Sequence, residues 1–366
     1  MRIVFAVILA IHGLIHLMGF VKAFQLKEIS ALTQSISKPI GMLWLFATVL
    51  FLTTLVFFLL KKDYWAILCL VAALLSQLLI IMVWKDARFG TLANLLILLV
   101  AIPGFGTYRF HRMVRAETME LLQDIESRDA RIVRENDLND LPPIVQRWLR
   151  HTGVVGKTWA RSVRLKQRGS VRNKPDGAWM PFTATQYVDM ERTSFIWSTE
   201  VRAMPMVKTL GRDKLRNGKG DMLIKLASVI PVVHEGNNDK INTGAALRYL
   251  AEICWFPSAA LHKNISWQAL DASSAKASLS IGGYEVSGVF QFTSEGAMIS
   301  FEAPRYYGGG EDASLETWRI EAVAFNEFEG IKIPYKCAVI WKLKEGDFEW
   351  LRPEITDLEY NLTKPF

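Results

Sequence analysis

The chain has 366 residues, 51% of them hydrophobic and 22% charged, with a formal net charge of +7 and a mean hydropathy of +0.17. Positive hydropathy beside ordinary charge content excludes one water-soluble globule throughout; lipid must surround one part and water the other. Residues 1–128 carry 12 Lys/Arg against 7 Asp/Glu and residues 129–366 carry 31 against 29, so the second part is near neutral and is not a polyanion or nucleic-acid binder.

The apolar runs come first. Residues 3–20 (IVFAVILAIHGLIHLMGF) follow Arg2, and no small-x-small cleavage site ends the run cleanly, so it reads as an uncleaved helix. Residues 40–60 and 64–84 make the second and third runs, closed by Lys61-Lys62-Asp63 and by KDAR. Residues 89–105 make a shorter fourth run that is expected to end at IPGFG. Each of the first three matches a hydrocarbon layer of about 30 Å. Trp44, Tyr64, Trp65 and Trp84 fall near run ends, where aromatic side chains anchor at the interface. Four spans set both chain ends on one side. Arg2, Lys61, Lys62, Arg109, Arg112 and Arg115 would share that side, against Lys22, Lys27, Lys38, Lys85 and Arg88 opposite. Six against five leans toward a cytoplasmic soluble domain in a bacterial inner membrane.

His12 and His16 stand one helical turn apart in the first run. Ionisable groups in lipid face the bundle interior. A haem, metal or proton site is one reading; neutral imidazoles hydrogen-bonded to Ser76 or Gln77 of the third run, or facing an interfacial layer, is the other. No cofactor is implied, because no other ligand-type cluster lies in the runs and no CxxC or Cys/His spacing occurs. The three cysteines are Cys69, Cys254 and Cys337; the last two read as buried free thiols, with a disulfide between them as the alternative.

Residues 106–158 read as a helical stalk and linker. Pro142 and Pro143 open a short helix that Gly153 ends. From residue 159 to 366 the pattern alternates with period two. Val163, Leu165, Trp197, Tyr335, Val339 and Trp341 are expected inside, with Lys166, Arg168, Lys336 and Lys342 outside. Turn signals such as Pro175-Asp176-Gly177, Asn217-Gly218 and Gly282-Gly283 divide roughly ten strands into a meander, an open curved antiparallel sheet or barrel. Residues 243–262 (a stretch containing GAALRYLAEICWFPSAALH) interrupt it as an amphipathic helical insert on one sheet face. The fold class is thus an α-helical transmembrane bundle plus an all-β or α+β domain. Residues 150–225 hold 16 basic and 6 acidic side chains while 285–361 hold 7 and 15. Cross-strand pairing explains that asymmetry, or else a basic face held against anionic headgroups or a partner.

The segments LPPIVQRWLRHTGVVGK, WMPFTATQY, GRDKLRNGKGDM, ALRYLAEICWFPSAAL, PRYYGGG and GIKIPYKCAVIW carry a resemblance across nearly all of 140–361. They resemble an uncharacterised bacterial membrane-protein family that joins this domain of unknown function to a variable membrane segment. In architecture alone, the domain is also similar to the LolA-like half-barrel of lipoprotein carriers. Neither resemblance brings catalytic residues.

No GxSxG, HExxH, Walker loop or strand-borne GxGxxG is present. Candidate ligand-binding residues are Trp197, Arg248, Tyr249, Glu252, Trp267, Arg305 and Trp341, an aromatic and polar set that would line a cleft between insert and sheet. The leading expectation is a membrane-tethered module that holds a lipid or other apolar molecule on the concave sheet face. A membrane-anchored enzyme using Glu252 and His234 is the alternative, and a structural or sensory protein that docks a partner on its basic strands is the third.

Overall fold

The structure is a computed structural model; it describes residues 2–123, 125, 131–204, 207–236, 238–308 and 312–366. Two compact units are present: Met1–Arg112 with Ala227–Val229, and Met113–Leu226 with Ile230–Phe366.

In the first unit, α1 (Arg2–Ile15), α2 (Leu17–Ala23), α3 (Lys38–Leu59), α4 (Trp65–Met82), α5 (Trp84–Ala87) and the first part of α6 (Gly90–Leu121) follow the apolar runs. Among the described residues, four stretches are long and apolar enough to cross a membrane: Arg2–Ala23, Lys38–Leu59, Trp65–Met82 and Gly90–Leu121. Their outer faces expose Ile3, Val49, Leu74, Leu78, Leu92 and Leu99, a surface that water would not tolerate and lipid would. The fourth helix does not stop at IPGFG. It continues through Pro103 to Leu121, and Thr107 Oγ1 donates to the Pro103 carbonyl at 3.0 Å. Helical backbone keeps its polar groups satisfied where water is scarce, which outweighs the missing proline donor.

Glycines bring α1 and α2 against α3. A Cβ on Gly19 would stand 2.2 Å from Trp44 Cδ2, and one on Gly41 would stand 2.3 Å from Ala23 Cβ. The break between α1 and α2 falls at His16. Its Nδ1 donates to the His12 carbonyl at 2.8 Å, and three-residue bonds from His16 N to Gly13 O and from Gly19 N to His16 O take over locally.

Among its described residues the second unit holds thirteen strands, not about ten: β1 (Ser162–Val171), β2 (Met180–Asp189), β3 (Ser194–Met204), β4 (Val207–Arg216), β5 (Lys219–Leu226), β6 (Ile230–Gly236), β7 (Ile265–Ala269), β8 (Ser274–Ile281), β9 (Tyr284–Phe292), β10 (Met298–Tyr307), β11 (Ser314–Phe328), β12 (Ile331–Leu343) and β13 (Gly346–Tyr360). They form one antiparallel sheet, not closed into a barrel, in the order β6-β5-β4-β3-β2-β1-β13-β12-β11-β10-β9-β8-β7. Every neighbour is also a sequence neighbour except the central pair, β1 and β13.

The inserted helix α8 (Asp239–Glu252) starts four residues before the expected boundary, because Asn238 caps it by accepting from Ile241 N at 3.0 Å. Short 3₁₀ turns at Ile253–Trp255 and Pro257–Leu261 complete the insert. α8 packs on β4, β5 and β6 at one end of the sheet and on β8, β9 and β10 at the other. A flat sheet cannot present both ends to one helix, so the sheet curls round α8, and the face toward α8 is the concave one. Asn242 bridges the two ends: its Oδ1 accepts from Gly220 N at 2.7 Å and its Nδ2 donates to Tyr284 Oη at 2.9 Å.

The concave face is largely filled. α7 (Pro143–Thr152), ended by Gly153 at φ 74°, drives Trp148 into Phe290, Phe292 and Trp267. Val163, Leu165, Val339 and Trp341 are buried as the alternation requires, and Arg168 is exposed. Trp197 and Tyr335 are only half-buried, and Lys166, Lys336 and Lys342 are half-covered rather than free. The lysines lean onto partners: Lys166 on Asp357, Lys336 on Glu354, Lys342 on Asp347. Arg164 pairs Glu359 and Arg168 pairs Glu354, so basic β1 lies against acidic β13. The charge asymmetry is cross-strand pairing.

Candidate functional site on the concave sheet face

α8 presents Arg248 and Glu252 to strands β2, β3 and β4. Arg248 Nε donates to Glu252 Oε1 at 2.7 Å, its Nη1 to Asp213 Oδ2 at 2.8 Å and its Nη2 to Gln186 Oε1 at 3.4 Å. Gln186 Nε2 donates to Glu252 Oε2 at 2.5 Å. The guanidinium also stacks 4.7 Å from the Trp197 ring and 5.0 Å from Phe195. Burial alone would lower the Arg248 pKa, but Glu252 and Asp213 outweigh it and hold the group above its ordinary value. Arg248 is therefore fully engaged. Trp197 is fixed from the other side, where its Nε1 donates to Gln167 Oε1 at 2.8 Å.

Arg305 reaches the same concavity from β10 and is held differently. Its guanidinium lies 4.5 Å from the Trp318 ring and 6.0 Å from Trp341, and a Cβ on Gly244 of α8 would sit 3.4 Å from its Nε. Tyr307, two residues on, packs edge-on to Trp341 at 5.1 Å. Burial draws the Arg305 pKa down to about 10, with Asp213 opposing the shift and Arg248 adding to it; the group stays protonated at neutral pH.

The structure thus brings Trp197, Arg248, Glu252, Arg305 and Trp341 to one face, around α8. Tyr249 and Trp267 stand in the packed core instead. Tyr249 is buried, 5.5 Å from the Phe256 ring, with its pKa raised by burial. Trp267, on the edge strand β7, lies 5.4 Å from Phe290 and donates from Nε1 to the Ala260 carbonyl at 3.0 Å. Glu252 and His234 do not meet as an acid–base pair. His234 is exposed on the edge strand β6, while both Glu252 oxygens are taken by Arg248 and Gln186. Sequence reasoning missed Asp213, Gln186 and Gln167, which alternate onto the inner face beside the aromatics; a polar residue at an inward position was the available signal.

Elsewhere in the second unit two concavities are mainly polar. One of about 310 Å³ is lined by Glu120, Gln123, Arg192, Arg216 and Asn217, and another of about 250 Å³ by Arg131, Trp159, Arg161, His262 and Lys263. Among the described residues no group of three His, Cys, Asp or Glu is placed to hold a metal. In the first unit, His12 and His16 join a closed polar chain. Ser76 Oγ lies 2.9 Å from His16 Nε2 and 3.2 Å from His12 Nε2, and Asn94 Oδ1 accepts from His12 Nε2 at 2.9 Å. Asn94 Nδ2 then donates to Gln77 at 3.1 Å, and Gln77 to Thr91 at 3.1 Å.

A family model described as a family of unknown function, DUF6544, matches residues 131–353, and the chain belongs to that family. No curated protein matches the chain. Among solved structures, a DUF1329-family protein from Desulfovibrio piger is similar at 8% identity, over 61% of this chain and 94% of its own, with a TM-score of 0.35. A domain named as an outer membrane lipoprotein-sorting protein, from Vibrio parahaemolyticus, is similar at 9% identity, over 67% and 93%, with a TM-score of 0.32.

Proposed function

We propose that this DUF6544 member is a membrane-tethered binding module that holds the acyl part of a lipid, or another apolar molecule, on the concave face of its sheet. One observation carries the reading. Trp197 and Arg305 point to the α8 side from strands that are not sheet edges, yet both remain partly open to solvent. An inward side chain in mid-sheet reached by solvent means that α8 leaves part of the concavity uncovered. Next to these two side chains lie Phe195, Trp318 and Trp341 with Arg248, Asp213 and Gln186, a mix of aromatic and fixed polar groups of the kind that lines small-molecule sites.

In this reading residues 1–105 anchor the chain in a bacterial inner membrane by several passes, residues 106–158 link, and residues 159–366 bind. The lysine and arginine distribution, six against five, leans toward a cytoplasmic binding domain. Lipid is the partner, drawn from the bilayer that the anchor occupies.

The test is native mass spectrometry of the full chain purified in detergent, followed by solvent extraction. The expected result is a co-purified acyl lipid that a fluorescent acyl probe displaces. A protein that releases no apolar ligand and binds no acyl probe would remove the carrier reading. Charged substitutions at Trp197 should abolish probe binding while the helices still insert.

A further inference from the structure

Arg305 differs from the other well-covered arginines of its domain. Arg164 pairs Glu359, Arg212 pairs Glu117 and Asp221, Arg248 pairs Asp213 and Glu252, and Arg319 pairs Glu302 and Glu321. Among the described residues no carboxylate forms an ion pair with Arg305. Its register partner on β11 is Glu316, on the same sheet face, and even that carboxylate makes no ion pair with it. Asp213 and Glu252 act on it only at longer range, since Arg248 already occupies both. The guanidinium is held by aromatic faces alone, and these stabilise the cation without satisfying its five donors.

A second unmatched donor adjoins it. Trp318, 3% exposed, keeps its Nε1 buried without a hydrogen-bond partner. Buried donors are ordinarily satisfied; Trp318 Nε1 is not, and the Arg305 guanidinium stacked on its ring, partly open to solvent, makes no hydrogen bond or ion pair among the described residues, an arrangement that an acceptor would complete. Water could reach the Arg305 side of this pair, but the surrounding walls are the rings of Trp318, Trp341 and Tyr307, which suit an apolar chain better than a water cluster.

We propose that Arg305, with the Trp318 Nε1 beside it, is the recognition point for a compact oxyanion, a carboxylate or a phosphate, at the end of an acyl chain. The proposal rests on the acyl-binding reading above and gives it a polarity: the anionic end lies at β10 and β11, and the chain runs along the aromatic wall toward Trp197. Arg248 takes no part in recognition, because its guanidinium is tied to Glu252, Asp213 and Gln186 inside the protein.

The experiment uses the full chain in detergent and a fluorescent acyl probe displaced by oleate, by an oleoyl lysophosphatidic acid, and by methyl oleate, which has the same chain without the charge. Wild type is expected to prefer one or both anions over the ester by about 10- to 100-fold, the range of a charge-assisted hydrogen bond. Which anion competes better tells carboxylate from phosphate. Arg305→Met should lower anion affinity by about 10- to 100-fold relative to methyl oleate and so erase the preference, Arg305→Lys should restore part of it, and Trp318→Phe should narrow the ratio of anion to ester affinity. Equal binding of anions and ester by wild type, or a preference that survives Arg305→Met, overturns the proposal and leaves the carrier reading standing. Failure of all three ligands to displace the probe, or of the probe to bind, overturns both.

Discussion

A Cβ on Gly218 would stand 2.5 Å from the Cα of Gly282. These two glycines sit in the β4–β5 and β8–β9 turns, near opposite ends of a thirteen-stranded sheet, with φ of 75° and 59°. Their contact brings the two ends of the curled sheet together. Each position asks for glycine twice, by its left-handed backbone and by the backbone pressed against it. Gly218→Ala is expected to destabilise the domain by about 1–3 kcal/mol, combining strain and clash. Gly283→Ala is the control: φ is 84° but nothing lies within 4 Å, so only the backbone strain remains. Thermal unfolding of the two variants should separate them; equal losses would mean that the contact adds nothing to stability.

Arg248 balances two buried carboxylates from inside the sheet. Arg248→Met should cost about 3–5 kcal/mol, since Asp213 and Glu252 would be left without a counter-charge in a poorly solvated site. Combining Arg248→Met with Asp213→Asn and Glu252→Gln should recover most of that loss in a denaturant titration. If the single change costs no more than the triple one, the cluster is solvated rather than buried.

Cys254 and Cys337 are free and buried. Burial pushes the Cys337 thiol up to about 12 and Cys254 well above its ordinary range. A raised thiol pKa leaves almost no thiolate at pH 8, so neither should react with iodoacetamide in the native protein at that pH. Denaturation should expose both to full alkylation, read by mass spectrometry. Native labelling at a rate like that of a free thiol would contradict the packing around the 3₁₀ turn Ile253–Trp255.

Gly19 lets α2 approach α3 so closely that a methyl group would enter the Trp44 ring, 2.2 Å from Cδ2. Gly19→Ala should loosen the bundle by about 1–3 kcal/mol, the usual range for overpacking. Cys69, fully buried in α4, reports on this locally. Its labelling by a membrane-permeant maleimide should begin at a lower temperature in the variant, and an unchanged labelling profile would mean that the helices tolerate the shift.

Much of this was legible from pattern alone. Run length marked out the four candidate spans, because hydrocarbon thickness sets the scale that the first three match and the shorter fourth approaches. Alternation at Val163, Leu165, Val339 and Trp341 told inside from outside. The basic and acidic halves of the domain foreshadowed the ladder of Arg164, Lys166 and Arg168 against Glu359, Asp357 and Glu354. Alternation says which face a residue occupies, however, and not which strand lies beside it. The pairing of β1 with β13 spans almost 200 positions, as in Val163 opposite Tyr360, and no local period encodes it. For the same reason Asp213 and Gln186 went unassigned to Arg248, although both sit at inward positions. Tyr249 and Trp267 carried the same aromatic signal as Trp197, and only tertiary packing separates rings that fill a core from one that faces open space. The continuation of α6 past Pro103 was hidden because proline and two glycines resemble a stop, and only the surrounding medium favours carrying the helix on.

The central seam has a consequence for biosynthesis. β13 is the last strand in chain order and the middle strand of the sheet. While the ribosome is still making it, the domain exists as two separate ribbons, β1 to β6 and β7 to β12, with β1 and β12 as raw edges. Each ribbon can form early, from hairpins between neighbours, but the wall that joins them waits for the fifteen residues of β13. Those edges are then open to pairing with another nascent chain. Without Gly346–Tyr360 the two half-sheets share no strand between them, so the continuous curved sheet forms only once β13 has been added.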